Sequence, residues 1–266
     1  MLNIALIGCG AIGQALLQLI IQDQDLRVTH IVVPAEVVDN TRKTAQFLAK
    51  DAQVQDRLPT EGIDLVVEAA GHEAIKAHVL DALSRGTPAI IASSGALSED
   101  GLVETLEAAA RKGQCQVHLI SGAMGAVDAI ASAGVGGLDS VVYTGRKPPK
   151  AWLQTPAEKQ FDLEALTEPT VIFTGSARDA AREYPKNANV ASTISLAGLG
   201  LDTTQVQLIA DPSTSSNTHT VQASGAFGEL SFTMSNRPLP QNPKTSALTV
   251  YSLVRTIRNL TRPLVI

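Results

Sequence analysis

Residues 3–13 read Asn3-Ile4-Ala5-Leu6-Ile7-Gly8-Cys9-Gly10-Ala11-Ile12-Gly13. An apolar strand pattern here breaks into glycines spaced as G-x-G-x-x-G, and residues 14–21 continue at helical spacing. The first glycine permits a tight turn, the second lets an anion approach the backbone, and the third lets the helix pack closely on the strand. Because the helix N-terminus faces the same anion, this stretch predicts a dinucleotide-binding turn.

Downstream of this turn, apolar strand patterns alternate with amphipathic helix patterns as far as residue 120. Such alternation predicts a parallel sheet with helices on both faces. The predicted strands are 27–33, 63–71, 88–92 and 116–120, and the predicted helices are 41–52, 72–84 and 98–112.

From residue 121 the pattern changes to alternating strands typical of an antiparallel sheet that is covered on one face. The predicted strands are 140–144, 170–174, 204–210, 218–223 and 229–234, and the predicted helices are 126–133, 177–183, 190–199 and 246–260. The fold class is therefore α/β, a Rossmann-type parallel-sheet domain plus an α+β domain with a mostly antiparallel sheet. We expect a dinucleotide-binding domain over residues 1–120, joined by the C-terminal helix 244–266, and a catalytic, substrate-binding and dimerisation domain over 121–243.

Composition excludes several classes of function. The 266 residues carry a net charge of −5 and only 3% aromatic side chains, which argues against a nucleic-acid partner. The two cysteines, Cys9 and Cys115, cannot form a disulfide framework and are too few for a metal cluster, so we expect no metal and a reducing cytoplasm. No export signal and no membrane span are expected, although residues 6–9 superficially resemble a lipoprotein cleavage box.

Ligands of open parallel sheets bind beyond the carboxyl ends of the strands. The cofactor-binding residues predicted there are Gly8, Gly10, Ala11, Ile12, Gly13, Pro34, Ala70, Gly71 and Ser93. The usual acidic residue for a ribose 2′-hydroxyl is missing from residues 33–35, and Glu36 lies just outside that window. The choice between NAD and NADP therefore stays open, with Arg42 either a partner for a 2′-phosphate or an ordinary solvated helix residue.

The candidate catalytic residue is His219, because the polar turn 211–217 delivers it onto a strand of the second domain. Two further segments, 186–189 and 242–246, each precede a predicted helix and combine a lysine with amide or hydroxyl side chains. They suit a small carboxylate, and ordinary helix capping explains them about as well.

Several segments together resemble the L-aspartate dehydrogenase family, in the same order over nearly the whole chain. They are 8–13, 121–125, 143–149, 184–191, His219 and 242–246. The resemblance implies oxidative deamination of L-aspartate with NAD or NADP, the reverse amination of oxaloacetate, and a homodimer, and its iminoaspartate product can supply NAD biosynthesis. It also makes His219 the catalytic residue and makes Ala123 and Asn189 contacts to the cofactor.

In this interpretation, His219 with an ordinary pKa near 6.5 accepts the proton of the substrate ammonium. The substrate carboxylates need cations or amides, for which we expect Lys244 with Thr245, then Asn187 with Lys186, or Arg146. Two alternatives stay open at this point. One is a homoserine dehydrogenase-like reductase, and the other is a redox sensor that binds the nucleotide without turning it over.

Overall fold

The computed structural model describes residues 1–185, 187–240 and 242–266, and for Pro243 and Lys244 it describes the backbone alone. The chain packs into two compact units. The first consists of residues 1–120 and 250–266, and the second of residues 121–249.

The first unit contains a six-stranded sheet of order β3-β2-β1-β4-β5-β6 in which every described pairing is parallel. Its elements are β1 (Leu2–Ile7), α1 (Ala11–Ile20), β2 (Leu26–Val32), α2 (Val38–Leu48), β3 (Gln53–Gln55), β4 (Leu65–Glu68), α3 (His72–Ala74), α4 (Leu80–Ser84), β5 (Ala89–Ile91), α5 (Leu102–Gly113) and β6 (Val117–Leu119). A π-helical segment, Ile75–Val79, joins α3 to α4. This strand order is that of a dinucleotide-binding sheet, with the reversal of order beside β1.

The central strands of this sheet are apolar because both of their faces are buried. The predicted parallel sheet is confirmed, and the differences lie at element ends. The helix predicted from residue 98 begins at Leu102, because Ser94–Ser98 forms a 3-10 helix and Gly101 adopts a left-handed φ of 78°. The short strand β3 was not predicted, since three residues are too few to show an alternation.

The second unit contains a five-stranded sheet of order β11-β10-β7-β9-β8. Its pairings are antiparallel except for β7 with β9, so the predicted mostly antiparallel sheet is confirmed. Its elements are α6 (Val127–Gly136), β7 (Leu138–Lys147), α7 (Ala157–Gln160), β8 (Thr170–Ser176), α8 (Ala177–Glu183), α9 (Asn189–Ala197), β9 (Gln205–Ala210), β10 (Asn217–Gly225), β11 (Gly228–Asn236), β12 (Pro238–Leu239) and β13 (Asn242–Ser246).

Alternate residues of these strands form one core with the helices α6, α8 and α9. On β7, Val141 and Tyr143 point into this core, and Val221 does so on β10. Strand β7 continues three residues beyond its predicted end at Thr144. The extension keeps Lys147 in the sheet and on the buried side.

The C-terminal segment 244–266 is helical only over α10, Ala247–Asn259. Residues 244–246, predicted as part of this helical segment, instead belong to β13, which pairs with β12 in a short hairpin. The amide group of Asn242 donates a hydrogen bond to the Thr245 hydroxyl (3.0 Å) and so stabilises this extended segment. Within the described residues, none of the helices combines the length and hydrophobicity that crossing a bilayer requires.

Candidate functional site

The glycine turn at the end of β1 needs glycine at two positions for different reasons. Gly8 has a φ of 93°, which an L side chain rarely adopts, and a Cβ there would lie 2.8 Å from the Ala69 carbonyl oxygen. A Cβ on Gly13 would lie 2.4 Å from the carbonyl oxygen of Gly8, so only glycine lets α1 approach the strand this closely. Both observations agree with the roles predicted for these two glycines.

Gly10 occupies a different environment, because no atom lies within 4 Å of the position that its Cβ would take. Gly10 is the N-cap residue of α1 and has an extended backbone. Among the residues that the structure describes, no side chain accepts a hydrogen bond from the first helix amides, those of Ala11 and Ile12. Uncapped helix amides behind an open glycine suit a pyrophosphate, which supplies the missing acceptors. The residues present therefore fit a dinucleotide at this turn.

Glu68 links the ends of two neighbouring strands and is fully buried at the end of β4. Its Oε1 accepts hydrogen bonds from the amides of Ala70 (2.8 Å) and Gly71 (2.7 Å) and from the Ser93 hydroxyl (3.0 Å), and its Oε2 accepts one from the Ser93 amide (3.0 Å). The carboxylate thus fixes three residues predicted to bind the cofactor. Sequence reasoning missed Glu68, although an acidic residue in an apolar strand just before Ala-Ala-Gly was an available signal.

A cavity of about 380 Å³ opens beside these strand ends. Pro34, Ala70 and Gly71, all predicted cofactor contacts, line it. Arg42 contacts Asp39 (Nη1–Oδ1 2.6 Å) and donates to the Val54 carbonyl oxygen (3.3 Å). Its guanidinium therefore already has partners on α2 and β3, as expected for an ordinary surface residue.

The candidate catalytic residue His219 lies on the buried face of the mixed sheet and is 3% exposed. Its Nδ1 lies 2.7 Å from the Tyr143 hydroxyl oxygen, whereas its Nε2 is buried and has no partner among the described residues. Burial, with a smaller contribution from the charge of Lys147, lowers the pKa of His219 to about 3. The expectation of an ordinary pKa near 6.5 is therefore wrong, and the imidazole is neutral at physiological pH.

Lys147 brings a second functional group to the same end of the sheet and is only 6% exposed. The register places Gly145 opposite His219, so Lys147 lies two residues further along the same face of β7. Its Nζ donates to Asn187 Oδ1 (2.7 Å) and lies 5.2 Å from the centre of the Trp152 ring. Sequence analysis missed Lys147 because the predicted strand ended before it.

The predicted cofactor contact Ala123 lies in the loop 121–125, which β11 holds in place. Asn236 donates to the Ala123 carbonyl oxygen (2.7 Å), and the Gly125 amide donates to Met234 Sδ (3.2 Å). In the register of the sheet, Met234 is the direct partner of His219. The fold thus holds the loop 121–125 against β11, the strand that carries the register partner of the candidate catalytic histidine.

The remaining predicted residues are the cofactor contact Asn189 and the substrate candidates Thr245, Arg146, Lys186 and Lys244. Asn189 begins α9, which has no side-chain cap at Ala188, and Thr245 lies in β13. Arg146 forms an ion pair with Asp211 (2.8 Å), so its charge already has a matching carboxylate. Lys186 and the side chain of Lys244 lie outside the described residues, so the contacts predicted for them are not described.

Comparison with known proteins matches each half of the chain to a family. The family described as "Homoserine dehydrogenase, NAD binding domain" matches residues 8–119, and the one described as "Aspartate dehydrogenase, C-terminal" matches residues 128–260. The L-aspartate dehydrogenase of Cupriavidus taiwanensis is 57% identical and covers 97% of each chain. That of Pseudomonas aeruginosa is 56% identical, again over 97% of each chain.

Solved structures agree with this assignment. The crystal structure of aspartate dehydrogenase from Thermotoga maritima superposes with a TM-score of 0.79 at 28% identity, over 100% of this chain and 99% of that one. A hyperthermophilic archaeal homoserine dehydrogenase superposes with a TM-score of 0.60 at 13% identity, over 100% of this chain and 99% of that one. At this low identity the similarity supports the fold alone. The chain therefore belongs to the L-aspartate dehydrogenase family.

Proposed function

We propose that the protein catalyses the oxidative deamination of L-aspartate to iminoaspartate, which water converts to oxaloacetate and ammonia, and the reverse amination. The cofactor is NAD or NADP, which accepts the hydride from the α carbon when bound. The observation that carries this proposal is the buried Nε2 of His219, which has no partner among the described residues of the unit that the aspartate dehydrogenase family matches.

His219 acts on the proton of the substrate nitrogen. The ammonium of aspartate must lose a proton before its lone pair can form the imine, and a neutral imidazole nitrogen within hydrogen-bond reach can take it. In the ligand-free protein the pKa of His219 is low, partly because of the charge of Lys147. A substrate carboxylate beside Lys147 offsets this charge and so makes His219 a better base when the substrate is present.

The two carboxylates of aspartate need charged or amide partners to offset their desolvation. We propose that Lys147 and Asn187 hold one of them, since their side chains already meet beside His219. Lys244, Thr245 and Lys186 stay candidates for the other carboxylate. The tryptophan face under Lys147 keeps its ammonium in one position.

The two units take separate roles in this proposal. Residues 1–120 hold the dinucleotide through the glycine turn and the cavity lined by Pro34, and residues 121–243 carry the catalytic side chains. The cofactor contacts that the family resemblance implies for Ala123 and Asn189 stay predictions. Iminoaspartate produced in the cytoplasm is then available to NAD biosynthesis.

We also propose a homodimer that pairs through the outer face of the mixed sheet. That face carries hydroxyl pairs such as Thr218 with Ser235 (3.2 Å) and Thr220 with Thr233 (3.0 Å). In a symmetric dimer, the same face of a second copy pairs with this face. Sedimentation analysis checks this proposal, and a monomer at micromolar concentration contradicts it.

The function is tested by following the consumption of NADH with oxaloacetate, with and without ammonium. We expect consumption only when ammonium is present, because the imine must form before the hydride is transferred. Equal rates in both conditions indicate simple keto-acid reduction and contradict the proposal. Consumption with an aldehyde and no ammonium indicates the homoserine dehydrogenase-like alternative, and binding of NADH without any turnover indicates a sensor.

A further inference from the structure

The closest polar partner of His219 is a tyrosine on the neighbouring strand. Tyr143 Oη lies 2.7 Å from His219 Nδ1, and the two rings stack at 21° with their centres 6.1 Å apart. Both side chains are buried, at 1% and 3% exposure. The contact is therefore a short hydrogen bond that is shielded from water, which strengthens it relative to a surface contact.

The glycine between them makes this contact possible. Gly145 lies directly opposite His219 in the register, and a Cβ there would lie 3.0 Å from Tyr143 Oη. The phenol thus lies across the space that a side chain at this position would fill. The pairing depends on three positions of two strands that meet only in the folded sheet.

The number of hydrogen-bond partners shows whether the Tyr143 hydroxyl or His219 Nδ1–H is the donor in the ligand-free protein. Within the described residues, Tyr143 Oη has His219 Nδ1 as its partner, and His219 Nε2 has none. If the hydroxyl donates to Nδ1, a single group, the Nε2–H, stays unpaired. If Nδ1–H donates instead, both the phenol hydrogen and the Nε2 lone pair are unpaired, which costs more. The resting histidine therefore carries its proton on Nε2.

We propose that Tyr143 is a positioning residue for His219, whose hydroxyl donates to Nδ1 in the resting protein and accepts from Nδ1–H when Nε2 takes the substrate's proton. The inference rests on the proposed function. It assigns proton exchange to Nε2 and gives Nδ1 a partner in every protonation state.

The proton balance of this proposal is simple. When the substrate ammonium docks, one proton leaves Nε2 for solvent and one joins Nδ1 from solvent, so the ring stays neutral. The ammonium then donates one proton to Nε2, and the resulting imidazolium keeps its Nδ1–H on Tyr143 Oη. A hydroxyl can serve as both donor and acceptor, whereas a carboxylate could only accept and would hold the ring as imidazolium.

The first experiment replaces Tyr143 by phenylalanine, which removes one oxygen and keeps the ring. We expect kcat for aspartate oxidation to fall about tenfold or more, because the Nδ1–H that forms during the reaction loses its acceptor. The KM for aspartate and the affinity for NADH are expected to change less than about threefold, because Tyr143 contacts neither ligand in this proposal.

Tyr184→Phe is the matched control. Tyr184 is another buried tyrosine of the same unit, and its hydroxyl donates a long hydrogen bond (3.4 Å) to the Ile172 carbonyl oxygen. We expect kcat of this control to stay within about twofold of the wild type, since it does not touch His219. A kcat that falls equally in both variants indicates a general packing effect and overturns the proposal.

A double-mutant cycle separates this inference from the proposed function. If Tyr143 acts through His219, adding Tyr143→Phe to His219→Ala leaves kcat unchanged, and an additive loss overturns the proposal. If His219→Ala alone keeps wild-type turnover, the proposed role of His219 fails instead. If His219→Ala is inactive and Tyr143→Phe is fully active, only the positioning role fails.

Nitrogen-15 NMR of the histidine ring tests the proposal in the wild-type protein and so does not depend on how the variants fold. We expect the proton on Nε2 in the ligand-free protein and on Nδ1 in the unreactive complex with NADH and aspartate. In Tyr143→Phe, we expect a mixture of both tautomers without ligands. A proton that stays on the same nitrogen in the free and bound wild-type protein overturns the proposal.

Discussion

The two units build their candidate sites from different parts of the chain. In the first unit, the site consists of backbone: Gly10 leaves space, the amides of α1 lack a cap, and Glu68 fixes the amides at the next strand ends. In the second unit, it consists of side chains, with His219, Tyr143 and Lys147 on the buried face of a sheet.

This difference explains why the first site was visible in the sequence as a glycine pattern, whereas of the three side chains in the second site only His219 was predicted. A backbone site depends on glycines a few residues apart, so its spacing can be recognised directly. The side-chain site depends on the register between β7 and β10, whose contacting residues Tyr143 and His219 are 76 positions apart. No local pattern encodes that pairing.

The largest expected effect comes from removing the imidazole of the second site. His219→Ala should lower kcat at least about a hundredfold, because general acid–base groups contribute this much or more. Its affinity for NADH should stay close to that of the wild type, because the glycine turn is unchanged. Steady-state rates and NADH fluorescence measure the two quantities, and a variant that keeps near wild-type turnover removes His219 from the mechanism.

The acid sensitivity of the second unit is the next largest effect. His219 has a pKa of about 3 when folded, against about 6.5 when unfolded, so the unfolded chain binds its proton more readily between these values. The free energy of unfolding therefore falls as the pH falls through 6.5 towards 3, by about 2 kcal/mol between pH 7 and pH 5 for this residue alone. Urea unfolding at both pH values measures it.

His219→Gln is the control for this acid effect. The variant lacks the titrating group, so its stability should fall by about 2 kcal/mol less than that of the wild type over the same pH interval. Other titrating groups contribute equally to both proteins and cancel in the comparison. An equal loss in the two proteins would show that His219 is protonated in the folded state as readily as in the unfolded chain.

A smaller effect is expected for the cation beside the histidine. Lys147→Met keeps the aliphatic stem over Trp152 and removes the charge. The KM for aspartate should rise about tenfold, through the loss of one charged contact, while the KM for NAD or NADP changes little. Arg146→Met is the matched control, since the charge of Arg146 is paired with Asp211. Equal changes in both variants would assign Lys147 a structural role only.

The smallest effect tests the backbone site of the first unit. Gly10→Ala adds a Cβ into space that is open in the ligand-free protein, so the free energy of unfolding should barely change. NADH affinity should fall about fivefold, because the added methyl group pushes the phosphates away from the backbone amides. This loss corresponds to roughly 1 kcal/mol of binding free energy. Gly136→Ala, at an equally open position in α6, should leave NADH affinity unchanged. If Gly10→Ala binds NADH as tightly as the wild type, the phosphates do not bind at this turn.

Element types were predictable along most of the described chain, and their ends were not. The alternation of apolar strands and amphipathic helices is a local property, so it predicted β1, β2, β4, β5 and β6 with their helices. Strand β7 was predicted too short, because Gly145 and the charged Arg146 and Lys147 conceal its alternation. The hairpin of β12 and β13 was missed because β12 has only two residues and because residues 244–246 of β13 were assigned to the C-terminal helix.

The residues of the candidate sites show the same distinction between local patterns and contacts that form only in the folded chain. The need for glycine at Gly8 and Gly13 was predicted with the physical reason that the structure shows, since a tight turn and a close approach follow from glycine spacing alone. Their contact with a cofactor stays a prediction. Glu68 and Lys147 were missed, because their partners on neighbouring strands and loops become neighbours only in the folded chain. For His219, the sequence indicated the residue and gave the wrong pKa, since burial is a tertiary property.

The sequence by itself determined the order of elements and the glycine turn, because periodicity and spacing are local properties of the chain. It indicated His219 as the candidate catalytic residue through the family resemblance. Only the tertiary structure decided which side chains meet that histidine and how strongly its environment disfavours a charge. The register of β7 against β10 places Tyr143 on Nδ1, and the surrounding core removes water from the ring. Hydrogen bonds and desolvation act through space, so neither can be read from spacing along the chain.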